Sequence, residues 1–175
     1  MGTMLQAKGL PVGATPELTA LEHPEWLLDI HRAYVEAGAQ ILYANTFGAN
    51  REKLSHCGRT VEEIVPAAVA LAKEAAQGRA LVALDIGPTP QLQEPTGILH
   101  NETPVHIYAQ VVRAGAAAGA DLIVIETMTD LQEARAALLA AKENSSLPVL
   151  VTMTYEATGR TFLGCSPAAA ALTLE

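Results

Sequence analysis

Four short apolar runs in this chain each end in a polar cluster, and those clusters carry the residues able to do chemistry. Asn45-Thr46-Phe47-Gly48-Ala49-Asn50 follows the first run and Asp85-Ile86-Gly87-Pro88-Thr89 the second. Glu126-Thr127-Met128-Thr129-Asp130 follows the third and Thr154-Tyr155-Glu156 the fourth. Taken singly, Asp85 or Glu126 reads equally well as the first polar residue after a buried strand, hydrogen-bonded to loop N–H groups. Two carboxylates at equivalent positions favour a site. Convergent acids suit recognition of an ammonium group or general-base work, because partial burial strengthens each charge contact, and they do not suit a phosphate. The candidate site therefore holds Asn45, Thr46, Asp85 and Glu126, with Tyr155 offered by the fourth end.

The remaining chemically capable residues have plainer readings. Asp130 with Glu133 has the spacing of a capping box, so Asp130 is read as a helix cap. Trp26 and Tyr34 lie two helical turns apart and are read as packing residues. His23, His31, His56, His100 and His106 form no HxH or HxxxH pair and are read as surface or loop histidines, His100 being the one of interest because it lies in a long loop. Cys57 and Cys165 are far apart, match no metal-ligand spacing, and fit a reducing, cytoplasmic compartment. GxxxxGK[ST], strand-linked GxGxxG and GxSxG motifs are absent, which removes the sequence basis for a phosphate cradle or a strained serine nucleophile.

The elements that must position these residues are legible from pattern. Gln40–Ala44, Ala80–Leu84, Asp121–Ile125 and Pro148–Met153 are nearly continuous apolar runs of the kind buried on both faces of a parallel sheet. Helices are expected over Pro24–Ala37, Val61–Gln77, Pro104–Ala118 and Leu131–Glu143, with another opening at Pro167. Thr60 with Glu63 has capping-box spacing, Thr103-Pro104 and Ser166-Pro167 place a hydroxyl before a proline at the first helical position, and Gly38, Gly78 and Gly119 close helices. Gly115, at a helix end, reads as a close-packing residue. Ile86–Asn101 is a long loop of the kind that often lines a site. Alternating strands and helices imply crossover connections, hence a doubly wound sheet or a (β/α)8 barrel of about 250 residues, of which roughly half is present here.

Bulk properties narrow the partners. The 175 residues are 50% hydrophobic, enough for one substantial core, and carry a net charge of −8 with no basic block. Attraction to nucleic acid or anionic lipid is therefore not expected, nor is a membrane-spanning run or signal peptide.

Four motifs together resemble the homocysteine S-methyltransferase domain, most closely the N-terminal module of bacterial cobalamin-dependent methionine synthases. They are the opening MGTMLQ, then YANTFGAN, LDIGPT and DLIVIETMTDLQEARAAL. The resemblance covers essentially the whole chain and implies an incomplete (β/α)8 barrel, comprising roughly strands 2 to 5, over residues 1–175. It implies methyl transfer to the thiol of L-homocysteine, giving methionine, with Zn²⁺ on three cysteine thiolates activating the substrate sulfur. Methylcobalamin on a separate module, recharged from a folate, is the implied donor, so the cobalamin and folate modules become partners; S-methylmethionine or betaine serves as donor in other relatives. By position, Glu126 in IETMTD matches the carboxylate that holds the substrate ammonium; Asn45, Thr46 and Phe47 match the pocket loop; Asp85 and Thr127 complete the expected substrate-binding set. The family's first strand and its Asp-Gly pair would precede Met1, and the zinc cysteines would lie beyond Glu175, so no metal ligand is expected here and the piece is expected to be inactive alone. The alternative reading is a non-catalytic scaffold or amino-acid-binding module without a metal site.

Overall fold

The computed structural model describes residues 1–90 and 103–175. Most of the long loop after Pro90, including His100, lies outside them. Four parallel strands form one sheet in the order β1 (Ile41–Tyr43), β2 (Leu81–Ile86), β3 (Leu122–Met128), β4 (Val149–Met153). The helices are α1 (Gly2–Lys8), α2 (Thr19–Glu22), α3 (Pro24–Glu36), α4 (Arg51–Leu54), α5 (Val61–Ala76), α6 (Thr103–Ala117), α7 (Leu131–Asn144) and α8 (Pro167–Leu174). Two single turns of 3₁₀ helix, Pro16–Leu18 and Ser55–Cys57, complete the set.

Most boundaries follow the local chemistry. Thr60 Oγ1 accepts from Glu63 N–H while Glu63 Oε2 accepts from Thr60 N–H, the reciprocal bonds that start α5. Ser166 caps α8 through the Ala169 N–H. Gly38, Gly78 and Gly119 adopt φ of 91°, 75° and 86°, closing the helices before them. Gly115 lets α6 lie directly on β2: a Cβ there would come within 2.5 Å of Leu84 Cδ2.

Sheet order and face usage decide between the two architectures. A doubly wound sheet reverses its strand order and carries helices on both faces. Here the order is sequential, and among the described residues helices cover one face only. Leu42, Val82, Leu84, Ile123 and Ile125 share a single core with Ile64 and Val65 of α5, Val112 of α6 and Ala137 of α7. Their alternating neighbours Ile41, Tyr43, Leu81 and Leu150 point the other way and remain 41%, 37%, 53% and 47% exposed. This is an arc of a (β/α)8 barrel, with the exposed residues on the concave face that a closed barrel turns inward. Among the described residues, β1 and β4 are its edge strands.

Two strands run further than their apolar runs suggest. β2 includes Asp85 and Ile86, and β3 continues through Glu126 to Met128, so both site carboxylates sit within strands and not in the loops after them. The N-terminal segment, assigned no element from its sequence, forms α1, whose buried Leu5 packs with Leu27, Ile30 and Ala68.

Candidate functional site

A cavity of about 510 Å³ opens at the C-terminal ends of β1, β2 and β3 and runs down the free edge of β1 to α3. Asn45, Phe47, Asp85, Glu126 and Thr127 all line it. Thr46 does not: its hydroxyl donates to the Asp85 carbonyl at 2.8 Å and accepts from the Asp85 N–H at 3.0 Å. That pair of bonds clamps the backbone of Asp85 and so fixes the point from which its carboxyl projects. Tyr155, offered by the fourth strand end, lies elsewhere, in a groove of about 740 Å³ between β4, α7 and α8.

An irregularity in β3 explains how two consecutive residues face the same cavity. Ile125 pairs with Val151 and Met128 with Met153, so Glu126 and Thr127 together oppose the single residue Thr152. Thr127 takes φ of 62°, left-handed backbone that a β-branched side chain rarely adopts. The extra residue resets the alternation of the strand. Glu126 and Thr127 both reach the cavity, and Met128 returns to the core fully buried. Strain of this kind, on the order of 1–3 kcal/mol, persists only where the surroundings enforce it.

The electrostatics are one-sided. Glu17, Asp85 and Glu126 line the cavity together with Met1, and among the described residues no Lys or Arg does. Glu17 is buried with its Oε1 accepting the Gly48 N–H at 2.6 Å. It was not foreseen from the sequence, because its partner lies 31 residues away. Asp85 is 7% exposed and its Oδ1 has no hydrogen-bond partner. Burial pushes its carboxyl up to about 8; the charge of Glu126 adds to this, the Met1 ammonium opposes it, and Glu17 adds a smaller push. Tyr43, on the same face of β1, is raised by burial and then by Glu126 and Asp85.

Asn45 donates to the Pro16 carbonyl at 2.7 Å and to Thr19 Oγ1 at 3.1 Å, which pins the 3₁₀ turn carrying Glu17 against the strand end. The ring of Phe47 rests on Gly87, where any Cβ would collide with it, and the Lys53 ammonium sits 5.1 Å above the ring centroid.

Three expectations need correction. His31 is not a surface residue: it is 2% exposed beside the cavity, burial draws its imidazole down to about 4, and its Nε2 is unpartnered. The signal was present, since His31 belongs to the buried stripe Leu27, Ile30, His31, Val35 of α3. Tyr34 is 47% exposed at the cavity rim and not packed away. Asp130 does cap α7, through the Gln132 N–H, but Glu133 does not complete the box. Glu133 turns inward, where its Oε1 accepts from Thr89 N–H, Thr89 Oγ1 and the Tyr108 hydroxyl at 2.7, 2.6 and 2.7 Å. This buried carboxylate ties the loop leaving β2 to α6 and α7.

A three-thiolate zinc site does not fit these residues. Cys57 Sγ lies 3.2 Å from Thr15 Oγ1, Cys165 Sγ donates to the Ser166 carbonyl, and neither lines the acidic cavity. Among the described residues no group of three or more His, Cys, Asp or Glu side chains is placed to hold a metal ion. Nor is any helix among them long and apolar enough to cross a membrane.

Known proteins share this architecture. The chain superposes on the metallated homocysteine methyltransferase MmuM from Escherichia coli with a TM-score of 0.85 at 20% identity, covering 99% of this chain and 67% of that one. In sequence it is 30% identical over 196 aligned positions to the methionine synthase of Mycobacterium tuberculosis, covering all of this chain but 16% of that protein. It is 32% identical over 152 positions to betaine–homocysteine S-methyltransferase 1 of Xenopus tropicalis, covering 79% of this chain and 35% of the relative. The chain thus spans well under two thirds of the curated relatives it matches. The family model described as homocysteine S-methyltransferase matches residues 1–175 throughout, and with the barrel arc and its acidic strand ends it establishes that the chain belongs to the homocysteine S-methyltransferase family.

Proposed function

We propose that residues 1–175 form the homocysteine-binding part of a (β/α)8-barrel methyltransferase that moves a methyl group onto the thiol of L-homocysteine to give methionine. The observation that carries this reading is the pair Asp85 and Glu126, facing one cavity that no Lys or Arg lines among the described residues. An amino-acid ammonium supplies the missing charge. In this reading Glu126, one pleat beyond Val124 on the face it shares with Asp85, holds the ammonium; Asp85 faces it from the neighbouring strand; Asn45, Phe47 and Thr127 shape the wall; and Thr46 fixes the Asp85 backbone. These contacts bind and orient the amino acid so that its side-chain sulfur is presented to the donor.

The zinc ion that the resemblance implies has no ligand set among the described residues, so the roles proposed for this chain are confined to binding and orienting the amino acid. Methylcobalamin on another module, with its folate partner, is the donor we favour from the resemblance to methionine synthase. Free Cys57 and Cys165 suit a reducing cytoplasmic setting. Alone, the chain is expected to bind without turning over.

Calorimetric titration of the chain with L-homocysteine tests this. Saturable binding that Glu126→Gln weakens about 10- to 100-fold, the loss of one charge-assisted contact of ~1.5–3 kcal/mol, is the expected result. Binding indifferent to Glu126→Gln would remove Glu126 from the site. In a second reading the chain is a non-catalytic amino-acid-binding module built on the same Asp85 and Glu126 cavity. That reading predicts that the natural full-length polypeptide, supplied with zinc and methylcobalamin, binds homocysteine yet forms no methionine.

A further inference from the structure

Asp85 and Glu126 are close neighbours on adjacent strands: Asp85 pairs with Val124 and Ile86 with Ile125, which puts Glu126 one pleat further along the same face. Side chains so placed are diagonal neighbours roughly 7–8 Å apart at the backbone and closer at their tips. Two ionised carboxylates held that way, with one nearly buried, repel strongly. Three features show which of the two gives way. Asp85 is 7% exposed, whereas Glu126 is only partly buried. Asp85 Oδ1 meets no hydrogen-bond donor, so the Met1 ammonium is left as the opposing influence that favours a negative charge on it. The Thr46 clamp holds the Asp85 backbone at both N–H and C=O, which fixes the point on β2 from which the carboxyl projects into the cavity.

Resting on the proposed ammonium site, we propose that Asp85 is its proton-carrying second carboxylate, which releases its proton to solvent when the cationic nitrogen of an amino acid enters the cavity. The balance is simple. One O–H bond on Asp85 breaks, the proton leaves to buffer, and the carboxylate formed pairs with the incoming ammonium beside Glu126. No covalent bond to the ligand forms. Every charged or titratable neighbour bears on this exchange. Glu126 of β3 and Glu17 of the 3₁₀ turn favour the protonated acid, and the Met1 ammonium opposes it. Tyr43 of β1 and His31 and Tyr34 of α3 also line the cavity, and His31 stays neutral at pH 7 because burial draws it down to about 4. The consequence is specificity for cationic nitrogen: a neutral isostere gives the exchange no charge to compensate the ionised Asp85 and leaves the acid protonated.

With the Asp85 carboxyl pushed up to about 8, it is protonated to about nine-tenths at pH 7. L-Methionine is the probe, because it carries the ammonium and has no thiol whose proton would be counted. Titration of the chain in buffers of different ionisation enthalpy should give about 0.9 proton released per ligand at pH 7, with affinity rising nearly tenfold per pH unit between pH 6 and 7.5. Asp85→Asn, whose shape is conserved, should bind with no proton release and a flat pH profile. Glu126→Gln should release fewer protons than the parent chain, because the charge that holds the Asp85 proton is gone. Binding of L-methionine without proton release overturns the proposal and leaves the ammonium site standing; release that persists in Asp85→Asn does the same. Failure of both L-methionine and L-homocysteine to bind at any pH overturns the ammonium site and the proposal together.

Discussion

Two buried groups with opposite pKa displacements make the stability of this chain depend on pH in a way that a surface-charge argument does not give. Asp85 moves from an ordinary 3.8 to about 8 in the fold. Below pH 4 both folded and unfolded chains hold its proton; between 4 and 8 only the folded chain does, so stability falls by ~1.4 kcal/mol per pH unit. His31 moves the other way, from 6.5 to about 4. Between those values the unfolded chain takes up a proton that the fold refuses, so stability rises with pH by a similar ~1.4 kcal/mol per unit and is complete above 6.5. The slopes cancel from pH 4 to 6.5. From 6.5 to 8 Asp85 acts alone, and about 2 kcal/mol should be lost. Urea unfolding at half-unit steps, followed by circular dichroism, reads this directly as a shift in midpoint. Asp85→Asn should convert the profile to a rise up to pH 6.5 followed by a plateau; His31→Gln should give a steady decline from 4 to 8. A parent chain whose stability is flat or increasing between 6.5 and 8, or an Asp85→Asn chain that keeps the decline, would refute the assignment of a buried neutral acid at this position.

Other consequences of the packing can be checked in the same assay. Thr127→Gly should stabilise the chain by ~0.5–1 kcal/mol, because relief of left-handed strain at φ of 62° outweighs the added chain entropy; a loss would mean that the Thr127 side chain makes contacts worth more than the strain. Glu133→Ala removes the acceptor of three buried hydrogen bonds and should cost about 2–4 kcal/mol, while Tyr108→Phe, which deletes one donor, should cost about 1 kcal/mol. Gly115→Ala should cost about 1–3 kcal/mol by driving Leu84 off the helix surface, and a neutral outcome would show that α6 and β2 have room to part.

What the sequence determined by itself was local. The apolar runs located all four strands, and the caps at Thr60, Asp130 and Ser166 and the glycines 38, 78 and 119 located the helix ends, because each signal acts within three or four residues. The polar strand ends were legible for the same reason, and five of the six expected substrate-binding residues line one cavity. Pattern alone left doubly wound sheet and barrel open, and only the family resemblance chose between them; in the structure the choice shows as helices on one face and sequential strand order. Tertiary structure also decided what depends on groups far apart in the chain. Glu133 left its capping box for Thr89, 44 residues away, since a buried acceptor of three bonds outcompetes a solvated one at a helix end. Thr46 turned from the pocket to clamp Asp85, 39 residues on, and Glu17 came into the site through Gly48. The bulge at Thr127 shows only in the register between β3 and β4, where Ile125 pairs with Val151 and Met128 with Met153, a relation between strands that the local sequence of β3 does not display.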